Sequence, residues 1–376
     1  FASFDLCLNK IFNQNFKMDE DEFEKDQEKK IISSFNDQQK IYYISSKIEL
    51  QSKNPVYIAY RLTYRSSHHN NEDHSESKND TKYHNDSQNK DLEDDEIHYD
   101  EKKTYALKLL KYHTKKQIKT FDKEKDIIEL FDDDSRIIKY LEIIPVILYN
   151  RKHILVSMYF YPNVDLLFYL WRPTFRFDEN LVCLIAFKAL KILSLLKSRG
   201  VVHNDIKFEN FIVSSEDPFE IILTDFESAQ MVDINGNSNS MSGTAVFKAP
   251  EVLRGEEHDY AADMWSLGMN IYFHLYFEYP FGIDEVIDSK SEKGIEKKIN
   301  SSKLTRPRKT EGKNVSEIAW NCVSAMLDKD PENRVKVDDA LEHEWFSFIE
   351  SSEMKYAVSR FNIEENLDFE DESPTL

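Results

Sequence analysis

The hydrophobic periodicity of this chain changes once along its length, and that change limits what it can fold into. Ahead of residue 160, apolar positions alternate with polar ones and favour β-branched and aromatic types. The runs are IYYIS and PVYIAYRLTY within 41–64, KTYALKLLKY, and LEIIPVILY and HILVSMYF within 137–160. Period-two alternation of this kind predicts strands. Only the charged segment 121–131 interrupts them with apolar residues at helical spacing. Beyond Leu181 the pattern turns mostly helical, beginning with LVCLIAFKALKILSLLKSR, which Asp178 can N-cap and Gly200 can close. Loops are expected at 200–250 and 280–314. Strands first and helices afterwards predict an α+β chain with a small sheet lobe and a larger helical lobe. The expected layout is an N-terminal extension over 1–40 with at most weak helical patterning, a main domain over 41–348, and an acidic loose tail over 349–376. The main domain divides into 41–161 and 162–348. Residues 65–102 carry almost no core-forming side chains and are predicted to be an exposed, disordered insertion.

Charge narrows the partners. The 376 residues carry a formal net charge of -20, which repels phosphodiester backbones and anionic lipid. Nucleic acid and membrane are therefore poor partners, and a locally basic protein is a better one. The apolar stretch 260–277 contains Asp263, Asn270 and His274, so it reads as a buried helix rather than a membrane span. Cys7, Cys183 and Cys322 are far apart and lack metal spacing, which fits a reducing intracellular compartment, cytoplasmic or nuclear. No signal peptide pattern is visible, and the chain begins at Phe1 rather than Met, as a fragment would. Five of the eleven histidines (His68, His69, His74, His84, His98) fall in the polar insertion, too irregularly spaced to favour a metal site. Of eight glycines the first is Gly200, so any phosphate-cradling loop in the first half must do without glycine.

Chemistry concentrates in VVHNDIKFENFIV, residues 201–213. Asp205, Lys207 and Asn210 follow the order D-x-K-x-x-N just after the long helix. An acceptor hydroxyl needs a carboxylate to orient it and take its proton, and Asp205 can do both. Lys207 can neutralise a transferring phosphate, and the Asn210 side-chain oxygen suits Mg²⁺. Taken alone, the run has a polar turn between a helix and a strand as its lesser alternative. In IILTDFESA, Asp225 ends an apolar strand, where it could hold a cation or simply terminate the strand. GTAVFKAPEVL, DYAADMWSLG and DKDPENRV follow in that order.

In their order and separations these segments resemble the protein kinase family over roughly residues 41–348. The resemblance implies a two-lobed protein kinase-like fold and transfer of the γ-phosphate of ATP, with Mg²⁺, to a protein substrate. His203, Asp205, Lys207 and Asn210 match the family's catalytic loop, Asp225 and Phe226 its metal-binding motif, and Ala249, Pro250 and Glu251 its A-P-E. It further implies a buried ion pair of Glu251 with Arg334, and an Asp263 that braces the catalytic-loop backbone. YALKLL resembles the strand that carries the family's phosphate-clamping lysine, which makes Lys108 the clamp and Ala106 a residue packed on adenine. Glu124 stands where that lysine's partner belongs, with Glu129 as a competitor. Met158 corresponds to the gatekeeper and Tyr159 to Tyr161 to the adenine-binding hinge, while Asp165 is placed to bond the ribose. Lys207 and Thr244, the latter placed to tie Asp205 to Lys207, favour Ser/Thr over Tyr specificity. The ending HEWF resembles the calcium/calmodulin-dependent and related groups.

Three departures stand out. Glu49, Gln51 and Asn54 occupy the positions of the family's phosphate-loop glycines, so weaker or altered ATP binding is expected. Glu227 replaces the glycine after Asp225 and Phe226. Asn204 replaces an arginine that normally gathers an activation-loop phosphate, so activity without that phosphate is expected. Ser238, Ser240 and Ser242 then read as loop residues rather than switches. An active Ser/Thr kinase is weighed against a pseudokinase that binds or scaffolds, and against a kinase of small molecules. The basic run 290–313, with Lys297, Lys298, Arg306, Arg308 and Lys309, reads as a solvated loop, with an acidic-partner docking surface as the alternative.

Overall fold

The computed structural model describes residues 17–18, 29–35, 38–48, 56–63, 104–148, 151–162, 165–170, 179–216, 218–287, 291–307, 315–347 and 349. The polar insertion, the phosphate-loop positions Glu49, Gln51 and Asn54, Asp178 and nearly all of the acidic tail lie outside these. The chain falls into two compact units, Phe1–His113 with Leu141–Phe160, and Thr114–Tyr140 with Tyr161–Leu376.

The first unit is a sheet. Its strands are β1 (Lys17–Met18), β2 (Lys29–Phe35), β3 (Gln38–Ile48), β4 (Val56–Thr63), β5 (Thr104–Lys111), β6 (Glu142–Leu148) and β7 (Arg151–Tyr159). They lie in the order β1-β6-β7-β5-β4-β3-β2. Every neighbouring pair is antiparallel except β1 with β6. The strand β2 and the start of β3 were expected to be at most weakly helical. They form a hairpin instead, with Phe35 opposite Gln38, so the expected boundary after residue 40 falls inside β3. In KKIISSF the adjacent Ile31 and Ile32 break the alternation that marks the other strands. Alternation in β5 sends Tyr105 and Leu107 to one face, where they pack with Tyr57, Ala59, Ile144, Val146 and Leu155. Ala106, Lys108 and Leu110 are on the other face, also buried.

The second unit is mainly helical: α1 (Lys115–Glu129), α2 (Leu166–Leu170), α3 (Glu179–Ser198), α4 (Pro250–Leu253), α5 (Ala261–Tyr276), α6 (Asp284–Ile287), α7 (Glu292–Ser301), α8 (Glu317–Met326) and α9 (Val337–Leu341). Short strands β8 (Val201–Val202), β9 (Phe211–Glu216), β10 (Phe219–Leu223) and β11 (Gln230–Met231) form two hairpin-like ladders, β9 with β10 and β8 with β11. The first helix starts at a capping box in which Thr114 and Gln117 satisfy each other's N–H groups. Although it falls in the sequence between β5 and β6, it groups with the helical unit. Phe131 just beyond it packs on Phe226 at 6.2 Å, and Ile138 N–H donates to the Leu223 carbonyl.

The helices α3 and α5 are buried on nearly all sides and form the centre of this unit. Gly268 on α5 admits α8, because a Cβ there would lie 2.9 Å from Met326 Cβ. Among the described residues no helix is long and apolar enough to cross a membrane. The expected loop over 280–314 contains α7. Its N-cap Ser291 accepts from Gly294 N–H, and it buries Ile295 and Ile299, one turn apart. Within the basic run, Lys298 pairs with Glu285 at 2.6 Å and Arg306 with Glu317; Arg308 and Lys309 lie outside the described residues.

Candidate active site

In the sheet unit, register alone assembles three of the expected residues. Ala106 on β5 is directly opposite Met158 on β7, and Lys108 is opposite Val156 on one side and Val56 on the other. Ala106, Lys108 and Met158 therefore share one face. All three are buried, Lys108 to 8% exposure. Tyr159 closes β7 half-exposed and stacks on Tyr105 with centroids 6.5 Å apart.

In the helical unit the catalytic-loop residues are on irregular backbone, and buried polar side chains of α5 hold them there. Asp263 accepts His203 N–H at 2.7 Å and Asn204 N–H at 2.9 Å, one on each carboxylate oxygen. Burial pushes the Asp263 carboxyl upward, opposed by His203 and those two N–H groups. Two helical turns on, Asn270 accepts Phe208 N–H at 3.1 Å and donates to the Ile206 carbonyl at 3.2 Å. The seven-residue spacing puts both on one helix face.

Four groups converge on this braced loop. Asp205 Oδ2 lies 3.2 Å from Lys207 Nζ, and Oδ1 accepts Thr244 N–H at 2.8 Å. Lys207 donates to the Thr244 hydroxyl at 2.9 Å. Asn210 Nδ2 donates to the Asp205 carbonyl at 2.7 Å, which leaves Oδ1 as that side chain's acceptor. Burial works to raise the Asp205 carboxyl, but the Lys207 ammonium, then Thr244 and His203, outweigh it. The carboxyl ends below the usual aspartate range and stays ionised at neutral pH. Gly243 makes Thr244's approach possible. Its φ is +103°, and a Cβ would lie 2.1 Å from the Asn204 carbonyl oxygen.

Asp225 follows β10 in the left-handed region at φ 60°, and the next residues, Phe226–Ser228, form a single 3-10 turn. Phe226 is fully buried against His203 and Phe131, while Glu227 is exposed. The backbone ties this turn to the catalytic loop, since Thr224 donates both its N–H and its hydroxyl to the Asn210 carbonyl, at 2.8 and 3.0 Å.

The remaining expected residues are elsewhere in the same unit. Asp165 caps α2, accepting Phe168 N–H at 2.9 Å, and burial raises its carboxyl. Tyr161 is partly buried. Glu124 on α1 is 3% exposed and accepts the Tyr140 hydroxyl at 2.5 Å, whereas its competitor Glu129 pairs with Lys125 on the surface. Glu251 and Arg334 form a buried two-bond pair at 2.7 and 3.0 Å, and Arg334 also donates to the Ala261 and Asp328 carbonyls. Sequence reasoning missed Asn270 and Gly243 as parts of this framework, and with them His258, whose Nε2 lies 2.8 Å from Asn204 Oδ1. For Asn270 a signal existed, a polar residue inside an apolar helical run two turns from Asp263. For His258 none did.

An α+β chain whose aspartate, lysine and asparagine are fixed on one braced loop, beside a second aspartate at a strand end, has the composition of a phosphotransferase site. Residues 95–346 match the protein kinase domain, and the chain belongs to the protein kinase family. It is 33% identical to the serine/threonine-protein kinase AtPK1/AtPK6 of Arabidopsis thaliana over 46% of this chain and 35% of that one. A probable serine/threonine-protein kinase of Dictyostelium discoideum is 28% identical over 68% of this chain and 53% of its own length. Ribosomal protein S6 kinase 2 alpha of Xenopus laevis is 36% identical over 46% and 23% respectively. The aligned segments thus span between 23% and 53% of these relatives' own lengths.

Proposed function

We propose that this chain is a serine/threonine protein kinase that transfers the γ-phosphate of ATP to hydroxyls of a protein substrate. The observation that carries the reading is the Asp205–Lys207–Thr244–Asn210 cluster. In the step it supports, the substrate hydroxyl oxygen attacks the γ-phosphorus and the bond from that phosphorus to the ADP oxygen breaks. The hydroxyl proton passes to Asp205. Asp205 orients the hydroxyl, and Thr244 and Lys207 hold that carboxylate in place. Lys207 also offsets charge on the transferring group. By the family resemblance, Lys108 of the sheet unit has the phosphate-clamping role and Ala106 and Met158 adenine-facing roles, while in the helical unit Tyr161 has a hinge role and Asp165 a ribose-binding role.

The donors fit Mg²⁺. Asn210 Oδ1 and the Asp225 carboxylate are hard oxygen ligands, and two such groups are what this cation takes from protein when phosphates and water complete its shell. When bound, the ion neutralises phosphate charge. Against a module that only binds, Lys108, Asp205, Asn210 and Asp225 are all retained. The net charge of -20 supports a basic protein as substrate, and the cysteine usage supports a cytoplasmic or nuclear setting.

The test is incubation with Mg·ATP and a generic basic protein, with Asp225→Ala as the blank. Phosphoserine or phosphothreonine that disappears in the variant is expected. Turnover equal to the blank, with ATP raising thermal stability whether or not Mg²⁺ is present, would favour a scaffold.

A further inference from the structure

Asn204 occupies the position of the family's phosphate-gathering arginine, and its surroundings give it another task. Its backbone is left-handed at φ 65°, a region that asparagine tolerates, and Asp263 holds its N–H. Its side-chain Nδ2 donates to two carbonyls, those of Val202 and Ser228, both at 3.3 Å. Those two acceptors fix the amide orientation, so Oδ1 faces His258 Nε2 at 2.8 Å and that nitrogen carries a proton. His258 is buried, and its Nδ1 lies 3.2 Å from the Glu256 carbonyl. The His258 backbone exchanges two hydrogen bonds with Ser238, at 2.6 and 3.0 Å.

This arrangement joins three segments. Ser228 ends the turn that begins right after Asp225, and Asn204 immediately precedes Asp205. Ser238 belongs to the segment that continues to Gly243 and Thr244, which pack on that same loop. An arginine buried here would need an anion, because an unpaired buried charge is costly. The asparagine needs none, since described neighbours satisfy both its amide group and its carbonyl oxygen.

Resting on the kinase reading above, we propose that Asn204 and His258 are positioning residues for phosphoryl transfer. They form a phosphate-free clamp that holds the Asp225 turn and the segment 228–244 against the catalytic loop. Neither touches the reacting atoms. Their effect is on where Asp225 and Asp205 stand, so loosening the clamp lowers kcat more than it changes ATP binding.

The test is steady-state transfer to a basic protein by the full chain, with thermal melting of each variant alongside. Phosphatase treatment of the wild type is expected to change kcat by less than about twofold. Asn204→Ala and His258→Phe are each expected to lower kcat about tenfold or more while KM for ATP moves less than about threefold. His258→Gln, whose amide can donate where Nε2 did, should recover kcat to within about threefold of wild type. Where Asn204→Ala does not fold, Asn204→Asp is read in its place with the same expectation. It keeps the acceptor facing His258 but sets a carboxylate against two carbonyls.

A tenfold loss of kcat on phosphatase treatment would overturn the proposal. So would Asn204→Ala and His258→Phe enzymes within about twofold of wild type, or a His258→Gln enzyme no better than His258→Phe. If the wild type itself does not exceed Asp225→Ala, the kinase reading fails and the clamp with it. The clamp alone fails when the wild type is active and its variants are equally so.

Discussion

The two units place their functional side chains by different means. In the sheet, Ala106, Lys108 and Met158 are set by strand register, so the backbone ladder does the positioning and the side chains are passengers. In the helical unit, Asp205, Lys207 and Asn210 are on backbone with little ladder of its own. Asp263, Asn270 and the tie to Thr224 supply what a ladder would. A change to a ladder-held side chain should therefore spare the fold and remove only chemistry. A change to the bracing of the loop should damage both.

The contrast can be broken at graded strengths. Arg334→Ala leaves Glu251 as an uncompensated buried carboxylate, and an expected loss of about 3–5 kcal/mol should appear in urea denaturation. Lys108→Met is expected to abolish about 99% of transfer, with a smaller fall in melting midpoint than Arg334→Ala gives. A Lys108→Met protein that melts far below wild type would mean the sheet depends on that side chain after all.

Asp263→Asn keeps one acceptor for two N–H groups. About 1–3 kcal/mol of stability is expected to go, together with most of the activity, because the loop itself moves. His274 offers a pH test of the same buried helix. Its ring bonds the Asn270 carbonyl at 2.8 Å, and burial pushes its pKa down from 6.5 to about 4. The unfolded chain binds more protons than the folded one between these values, so stability falls as pH drops through that window. Between pH 7 and pH 5 the loss is about 2 kcal/mol, and His274→Met should remove most of that dependence in melts across the range. Thr244→Val is the mildest change. The N–H to Asp205 remains and the Lys207 contact goes, so about 0.5–1.5 kcal/mol and a severalfold drop in kcat are expected.

What was legible in the sequence follows the same division. The strand carrying Lys108 was readable because side-chain patterning is a local property of TYALKLLK. The order D-x-K-x-x-N was readable because its residue types and offsets carry the chemistry. The bracing was only half readable. Asp263 came with the family resemblance, whereas Asn270 needed the helix face, and His258 needed a hydrogen bond across 54 residues. The hairpin of β2 and β3 was missed because Ile31 and Ile32 are adjacent, and α7 because only two apolar residues mark it amid lysines and glutamates. Tertiary contact decided these elements against weak local pattern.

The most direct test of the catalytic cluster is Asp205→Asn, which preserves shape and removes the charge that orients the hydroxyl. Transfer to serine or threonine should fall about 10²–10⁴-fold while the thermal shift with Mg·ATP is retained. Transfer at the wild-type rate by Asp205→Asn would contradict the account.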